Sequence, residues 1–183
     1  MQNPTSEQFT SVLTECRNLF IDKLNDYGAT WRIFRLPSIT DQMYIKAERI
    51  RNLQQNKVHL VEEGVYPEFV ALVNYSTIAL IQSQMGAVSK IDLNAEEALS
   101  LYDQHSMKAF ELMKRKNHDY GEAWRNMRIS SITDLILVKL LRIKQIEDNN
   151  GNTKVSEGVA GNYMDILNYA VFALILLKEE KNH

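Results

Sequence analysis

Apolar and polar positions along this chain recur with the period of helices. Phe9, Val12, Leu13, Cys16, Leu19 and Phe20 fall at three- and four-residue spacing, and Leu99, Tyr102, Ala109, Phe110 and Met113 do the same later in the chain. A second pair of segments carries apolar residues through Ile45, Ile50 and Leu53, and through Leu137, Leu141 and Ile146. A third pair opens near Glu63-Gly64 and Glu157-Gly158 and is apolar on nearly every side, which predicts helices buried on most faces. Ser38 and Ser131, each followed three residues later by aspartate, predict the N-caps of the second helices. The first helices are expected to end before Asp-Tyr-Gly, where glycine supplies a C-terminal cap, with a loop of about ten residues beyond.

The pairing of segments is an internal duplication. Lys23-Leu-Asn-Asp-Tyr-Gly-Ala-Thr-Trp-Arg32 recurs as Lys116-Asn-His-Asp-Tyr-Gly-Glu-Ala-Trp-Arg125. The same offset aligns Arg35 with Arg128, Ser38-Ile-Thr-Asp41 with Ser131-Ile-Thr-Asp134, Lys46 with Lys139 and Arg49 with Arg142. After a one-residue insertion the match resumes at Glu63/Glu157, Asn74-Tyr75/Asn168-Tyr169 and Ala79/Ala173. The repeats span residues 6–85 and 95–180 of one all-α domain covering 1–183. One copy has too few helices to cover its apolar third helix. The expected architecture is therefore a pseudo-two-fold bundle of two three-helix repeats, third helices packed together, as if a homodimer had been fused.

Composition sharpens this picture. Only seven glycines and three prolines occur in 183 residues, which suits long helices and disfavours sheets joined by tight turns. Twenty-one basic against 23 acidic residues leave a net charge of −2, without the basic excess of a duplex-DNA binder. The single cysteine, Cys16, provides neither an intramolecular disulfide nor a multi-cysteine metal site. The first residues lack the basic-then-apolar run of a secretory signal, and the apolar run Tyr169–Leu177 is far short of the roughly 20 residues that span a bilayer. These features predict a cytoplasmic protein without a membrane partner.

The recurring Lys-x-x-Asp-Tyr-Gly-x-x-Trp-Arg element is the candidate for chemistry. As structure, Tyr27/Tyr120 and Trp31/Trp124 plug a loop onto the core while Arg32/Arg125 pair with carboxylates. As function, two aromatics beside an arginine suit ring stacking and phosphate contact, with Lys116, Asp119, Tyr120, Trp124 and Arg125 in one copy and Tyr27, Trp31 and Arg32 in the other. Lys139 and Arg142 lie one turn apart on one helix face, as do Lys46 and Arg49. Asp165 is an acid inside an apolar helix and must meet a cation, a metal or several donors. A salt bridge to Lys139 or Arg142 is one reading. A metal or phosphate site is the other, with Glu157 two turns earlier as a second oxygen ligand and Asn168 orienting Asp165. The copies differ here: Asp165 aligns with Ala71, Asn162 with Glu68 and Gly161 with Pro67. An acidic site is thus expected in the second copy alone, with Glu62, Glu63 or Glu68 as contributors across the dyad. Of the four histidines, only His118 sits near this chemistry.

At Lys-x-x-Asp-Tyr-Gly, then Lys-x-x-Arg, then Glu-x(7)-Asp-x-x-Asn-Tyr, the sequence resembles the nucleotide-modification-associated domain family, first catalogued as a domain of unknown function. That family looks related to the MazG-like all-α nucleoside-triphosphate pyrophosphohydrolases, which are helical bundles, usually dimeric, that use Mg²⁺. The resemblance implies a nucleotide or nucleoside triphosphate as partner, Glu157 and Asp165 on Mg²⁺, and Lys139 and Arg142 in catalytic roles. It also implies substrate contacts from the recurring loop and Asn168, and a homodimer. MazG-like enzymes carry Glu-x-x-Glu and Glu-x-x-Asp, where this chain has Lys-x-x-Arg and Asn162-x-x-Asp165. Two alternatives therefore stand beside the hydrolase: a non-catalytic nucleotide-binding or sensing protein, and a structural helical oligomerisation module.

Overall fold

The computed structural model describes residues 4–56, 64–154 and 158–182. These form six α-helices: α1 (Pro4–Tyr27), α2 (Leu36–Gln55), α3 (Val65–Met85), α4 (Ala95–Tyr120), α5 (Ile129–Asp148) and α6 (Val159–Lys181). Short 3-10 turns, Thr30–Ile33 and Ala123–Asn126, carry the two Trp-Arg pairs. The predicted all-α bundle of two three-helix repeats is what forms. Packing maps onto itself when α1, α2 and α3 are exchanged for α4, α5 and α6. On the pseudo-dyad α3 packs on α6, α2 on α5 and α1 on α4, and α3 against α6 is the most extensive of all the helix pairings.

Burial explains this arrangement. Phe69, Leu72, Val73, Ala79 and Ile81 of α3, and Tyr163, Ile166, Leu167, Ala170, Val171, Ala173 and Leu174 of α6, have no exposed surface. Neither helix has a polar face to give to solvent, so each must be wrapped by the other copy. By length and composition α6 is apolar enough to cross a bilayer, and 72% of its apolar window is buried inside the bundle.

Three local expectations are corrected. The first helices do not stop before Asp-Tyr-Gly but run through it to Tyr27 and Tyr120. Gly28 and Gly121 then take φ of 64° and 57°, the left-handed backbone that glycine adopts at least cost. The serines are not N-caps. Arg35 and Arg128 hold that position without a side-chain cap, and Ser38 and Ser131 lie inside the first turn, donating backbone N–H to Arg35 O and Arg128 O at 3.0 Å. Pro37 in the first turn of α2 needs no donor there, which lets that helix start early. The true capping box is at α4, where Asn94 Oδ1 accepts the Glu97 N–H at 2.8 Å and Glu97 Oε2 accepts the Asn94 N–H at 2.9 Å. Finally, the buried stripe of α2 is Ile39, Met43, Ala47 and Ile50, while Ile45 is exposed; on α5, Leu141 is exposed likewise.

Candidate functional site

Each copy folds a cleft where the end of its first helix, its 3-10 turn and its third helix converge. The first-copy cleft measures about 340 Å³ and the second about 300 Å³. Every residue lining the second has its aligned counterpart lining the first: Lys116/Lys23, Asn117/Leu24, Tyr120/Tyr27, Trp124/Trp31, Asp165/Ala71, Asn168/Asn74, Tyr169/Tyr75 and Phe172/Ile78 among them. The recurring sequence element therefore builds the same concavity twice.

In the second copy the cleft is walled by aromatic rings. Trp124 stacks on Phe172 with centroids 4.2 Å apart and planes 5° from parallel, and donates Nε1–H to Asn117 Oδ1 at 3.1 Å. Trp124 is buried as expected, but Tyr120 and Tyr27 do not plug the loop: they are 74% and 66% exposed, one at each cleft. An exposed ring beside a buried one leaves a flat apolar face open to a planar ligand. Burial pushes the Tyr169 hydroxyl pKa up, helped by the Asp165 carboxylate.

Beyond this cleft lies a polar groove of about 650 Å³ along α5 and the start of α6, reached by Lys139, Arg142, Gln145, Asn149, Asn152 and Asn162. Lys116 and Asp165 line both cavities, so aromatic cleft and cationic groove share one wall. Asp165 accepts from Lys116 Nζ at 2.6 Å and from Lys139 Nζ at 3.0 Å. The salt-bridge reading of Asp165 is what the structure holds, with Lys116 joining Lys139. Arg142 is exposed in the groove and has no carboxylate partner among the described residues. Among the described residues, three cations thus face one carboxylate.

The first copy handles its aligned cations differently. Glu68 of α3, buried, takes both: Lys46 Nζ lies 3.3 Å from Oε2, and Arg49 donates to Oε1. Asn162 stands at that position in the second copy, and this exchange leaves Arg142 available.

The two arginines of the loops serve the fold. Arg32, 1% exposed, donates to Asp92 at 2.9 and 3.2 Å, to Gly86 O at 2.7 Å and to Gln82, pinning the inter-repeat segment. Arg125 lies over Trp124 and donates to Glu122, Glu179, Thr5 and Gln8, tying its loop to α1 and α6. Neither lines a cleft. Asn168 does not orient Asp165: its Nδ2 donates to Ala109 O at 3.0 Å, as Asn74 Nδ2 does to Cys16 O at 3.0 Å. Asp119 points to solvent beside His118 at 3.1 Å. Glu157, Glu62 and Glu63 lie outside the described residues.

Mg²⁺ fits this donor set poorly. Among the described residues no three carboxylate, histidine or cysteine side chains gather to hold a metal. Asp165 is the cleft's carboxylate, and both its oxygens are occupied by ammonium groups that a divalent cation would have to displace or sit beside.

A family model described as nucleotide modification associated domain 1 matches residues 23–83 and again 116–177. The chain belongs to that family. The two matches fall one in each repeat, and each contains most of the residues that line one cleft. No curated protein and no solved structure matches the chain. The likeness to MazG-like enzymes thus rests on motifs alone.

Sequence reasoning missed Asn117, Tyr169 and Phe172 as cleft residues. The signal for Tyr169 was present, since Asn-Tyr recurs in both copies. Glu68 was placed across the dyad, whereas it serves its own copy.

Proposed function

We propose that the second copy of this nucleotide-modification-associated protein binds a nucleotide, base in the aromatic cleft and phosphates along the adjoining groove. The observation that carries the reading is the wall common to both cavities: Lys116 and Asp165 stand between a stacking surface and a cationic channel. A planar base entering beside Tyr120 and Trp124 has Lys116 within its reach, and Lys139 and Arg142 lie further along. An Arg142 guanidinium without a carboxylate partner among the described residues suits bidentate contact with a phosphate. Asn162, Gln145 and Asn149 add neutral amides to the groove, which hydrogen-bond phosphate oxygens without adding charge.

The reading is of binding through protein cations rather than through a protein-held metal. Pyrophosphohydrolase chemistry of the MazG type calls for clustered carboxylates, and Asp165 between two lysines is not such a cluster. Any Mg²⁺ in the complex is accordingly assigned to the phosphates.

Calorimetric titration with a nucleoside and its mono-, di- and triphosphate, each with and without Mg²⁺, tests this. Affinity is expected to rise with phosphate number, to fall with salt, and to survive EDTA. Arg142→Ala should remove much of the gain from the second and third phosphates while leaving nucleoside binding alone. Equal affinity for nucleoside and triphosphate, or no binding by either, would overturn the reading.

A further inference from the structure

The first-copy cleft has the same shape as the second but a different chemistry. Ala71 replaces Asp165, so Lys23 at the mouth faces a methyl group where Lys116 faces a carboxylate. The cations that would extend the cleft toward a phosphate chain, Lys46 and Arg49, are both engaged by the buried Glu68, whose single charge offsets one of the two. Leu24 replaces Asn117, and this leaves a donor without an acceptor: Trp31, 8% exposed, has a buried Nε1–H with no hydrogen-bond partner, whereas Trp124 Nε1 donates to Asn117. A buried donor left unpaired costs stability comparable to a lost hydrogen bond. The position that would satisfy it is held by Leu24, which lines the cleft beside Trp31.

We infer that this first-copy cleft is a second binding site, for a planar heterocycle that bears an acceptor for the Trp31 Nε1–H and is recognised by its ring rather than by a phosphate chain. The ligand class is a nucleoside or its monophosphate, which rests on the reading that the sister cleft accepts a base. Lys23 accommodates one negative charge, and the Lys46 and Arg49 groups that would contact a second or third are held by Glu68. The two clefts of the fused pair thus sort one ligand family by charge.

Two tryptophans occur in the chain, one in each cleft, so each site carries its own reporter. The ¹⁵N-labelled wild-type protein gives two indole N–H resonances, assigned with Trp31→Phe or, where that variant fails to fold, with Trp124→Phe. Adenosine, guanosine, cytidine and thymidine are titrated, then their mono- and triphosphates. At least one nucleoside is expected to move the Trp31 resonance saturably and downfield, as a new hydrogen bond requires. Its monophosphate should bind at similar or slightly higher affinity, and its triphosphate within about threefold of the monophosphate. Leu24→Asn, which supplies the acceptor that Asn117 gives Trp124, should weaken nucleoside binding about two- to tenfold at this site and leave the Trp124 response unchanged. Triphosphate moving Trp124 while no nucleoside or monophosphate moves Trp31 would overturn this inference and leave the second-copy reading intact. A triphosphate preference above tenfold at Trp31 would overturn it equally. Silence at both resonances would defeat both readings together.

Discussion

Replacing Asp165 by alanine separates the roles its carboxylate plays. The side chain is 14% exposed and pairs with Lys139, 19% exposed, and Lys116, 48% exposed. Breaking a fully buried pair costs about 3–5 kcal/mol, whereas exposed pairs are worth about 0–1 kcal/mol. Lys116 is half exposed, so its share belongs near the lower figure. Lys139 is more enclosed and loses its described carboxylate. Against this, alanine has the better helix propensity by about half a kcal/mol. The net expectation is a destabilisation of about 1 kcal/mol. That fits the first copy, where Ala71 occupies this place in a helix with the same packing. Binding should move the other way. A carboxylate about 6 Å from a phosphate opposes it by about 0.7 kcal/mol in water and more in a partly enclosed groove. Asp165→Ala should therefore tighten triphosphate binding by about fivefold, with little change for the nucleoside. Urea denaturation in EDTA and in Mg²⁺ measures the first quantity and calorimetry the second. Triphosphate binding more than tenfold weaker in a folded variant, together with Mg²⁺ stabilisation of wild type that the variant lacks, would refute the reasoning and make Asp165 a metal ligand.

Other expectations follow from side chains whose counterparts differ. Glu147 shares a half-buried cluster with Thr40 and Tyr163, and burial raises its pKa despite both hydroxyls, at a position where the first copy has Gln54. A raised folded pKa means the folded state holds the proton longer, so stability falls as pH climbs from the ordinary carboxyl range through the raised value. Glu147→Gln should accordingly stabilise the protein at neutral pH, with the advantage shrinking toward acid, in thermal melts across pH. Asn168 Oδ1 is buried without a partner, while Asn74 Oδ1 accepts from Tyr102 at 2.7 Å; Phe9 stands at the aligned place. Phe9→Tyr should then add about 1 kcal/mol in chemical denaturation, and a clear loss would show that the dyad is not obeyed there. Arg32→Ala abandons Gly86 O, Gln82 and Asp92 together and should cost about 3 kcal/mol or more in the same assay.

Much of the fold was legible because the duplication wrote each signal twice. Apolar third helices without a polar face could be buried only against each other, and periodicity alone says so. Helix boundaries were less legible. Ser-x-x-Asp resembles a capping box, yet extended backbone at Arg35 and Arg128 followed by a tolerant first turn starts those helices earlier, and the local pattern cannot register that competition. The site was half legible. Asp165 announced itself as an acid in an apolar helix, but its partner Lys116 comes from another helix 49 residues earlier, a pairing set by tertiary packing. Arg32 and Arg125 looked like ligand contacts because a sequence records charge beside aromatics and not which carboxylates or carbonyls already consume it.

Fusing two like units releases each cleft from the constraint that both change at once. Some of the substitutions that separate the copies exchange polar partners in and beside the clefts. Leu24 for Asn117 costs the first copy an indole hydrogen bond, and Phe9 for Tyr102 costs the second copy one at Asn168. Glu68 for Asn162 engages Lys46 and Arg49 in the first copy, whereas in the second Lys139 pairs with Asp165 and Arg142 has no carboxylate partner among the described residues. The backbone ties that hold the third helix to the first, Asn74 to Cys16 and Asn168 to Ala109, are kept at the same length in both. Conserved geometry with exchanged polar partners is what the proposed pair of binding sites calls for. Among the described residues, one copy keeps the Trp31 donor buried and open, and the other leaves Arg142 without a carboxylate partner.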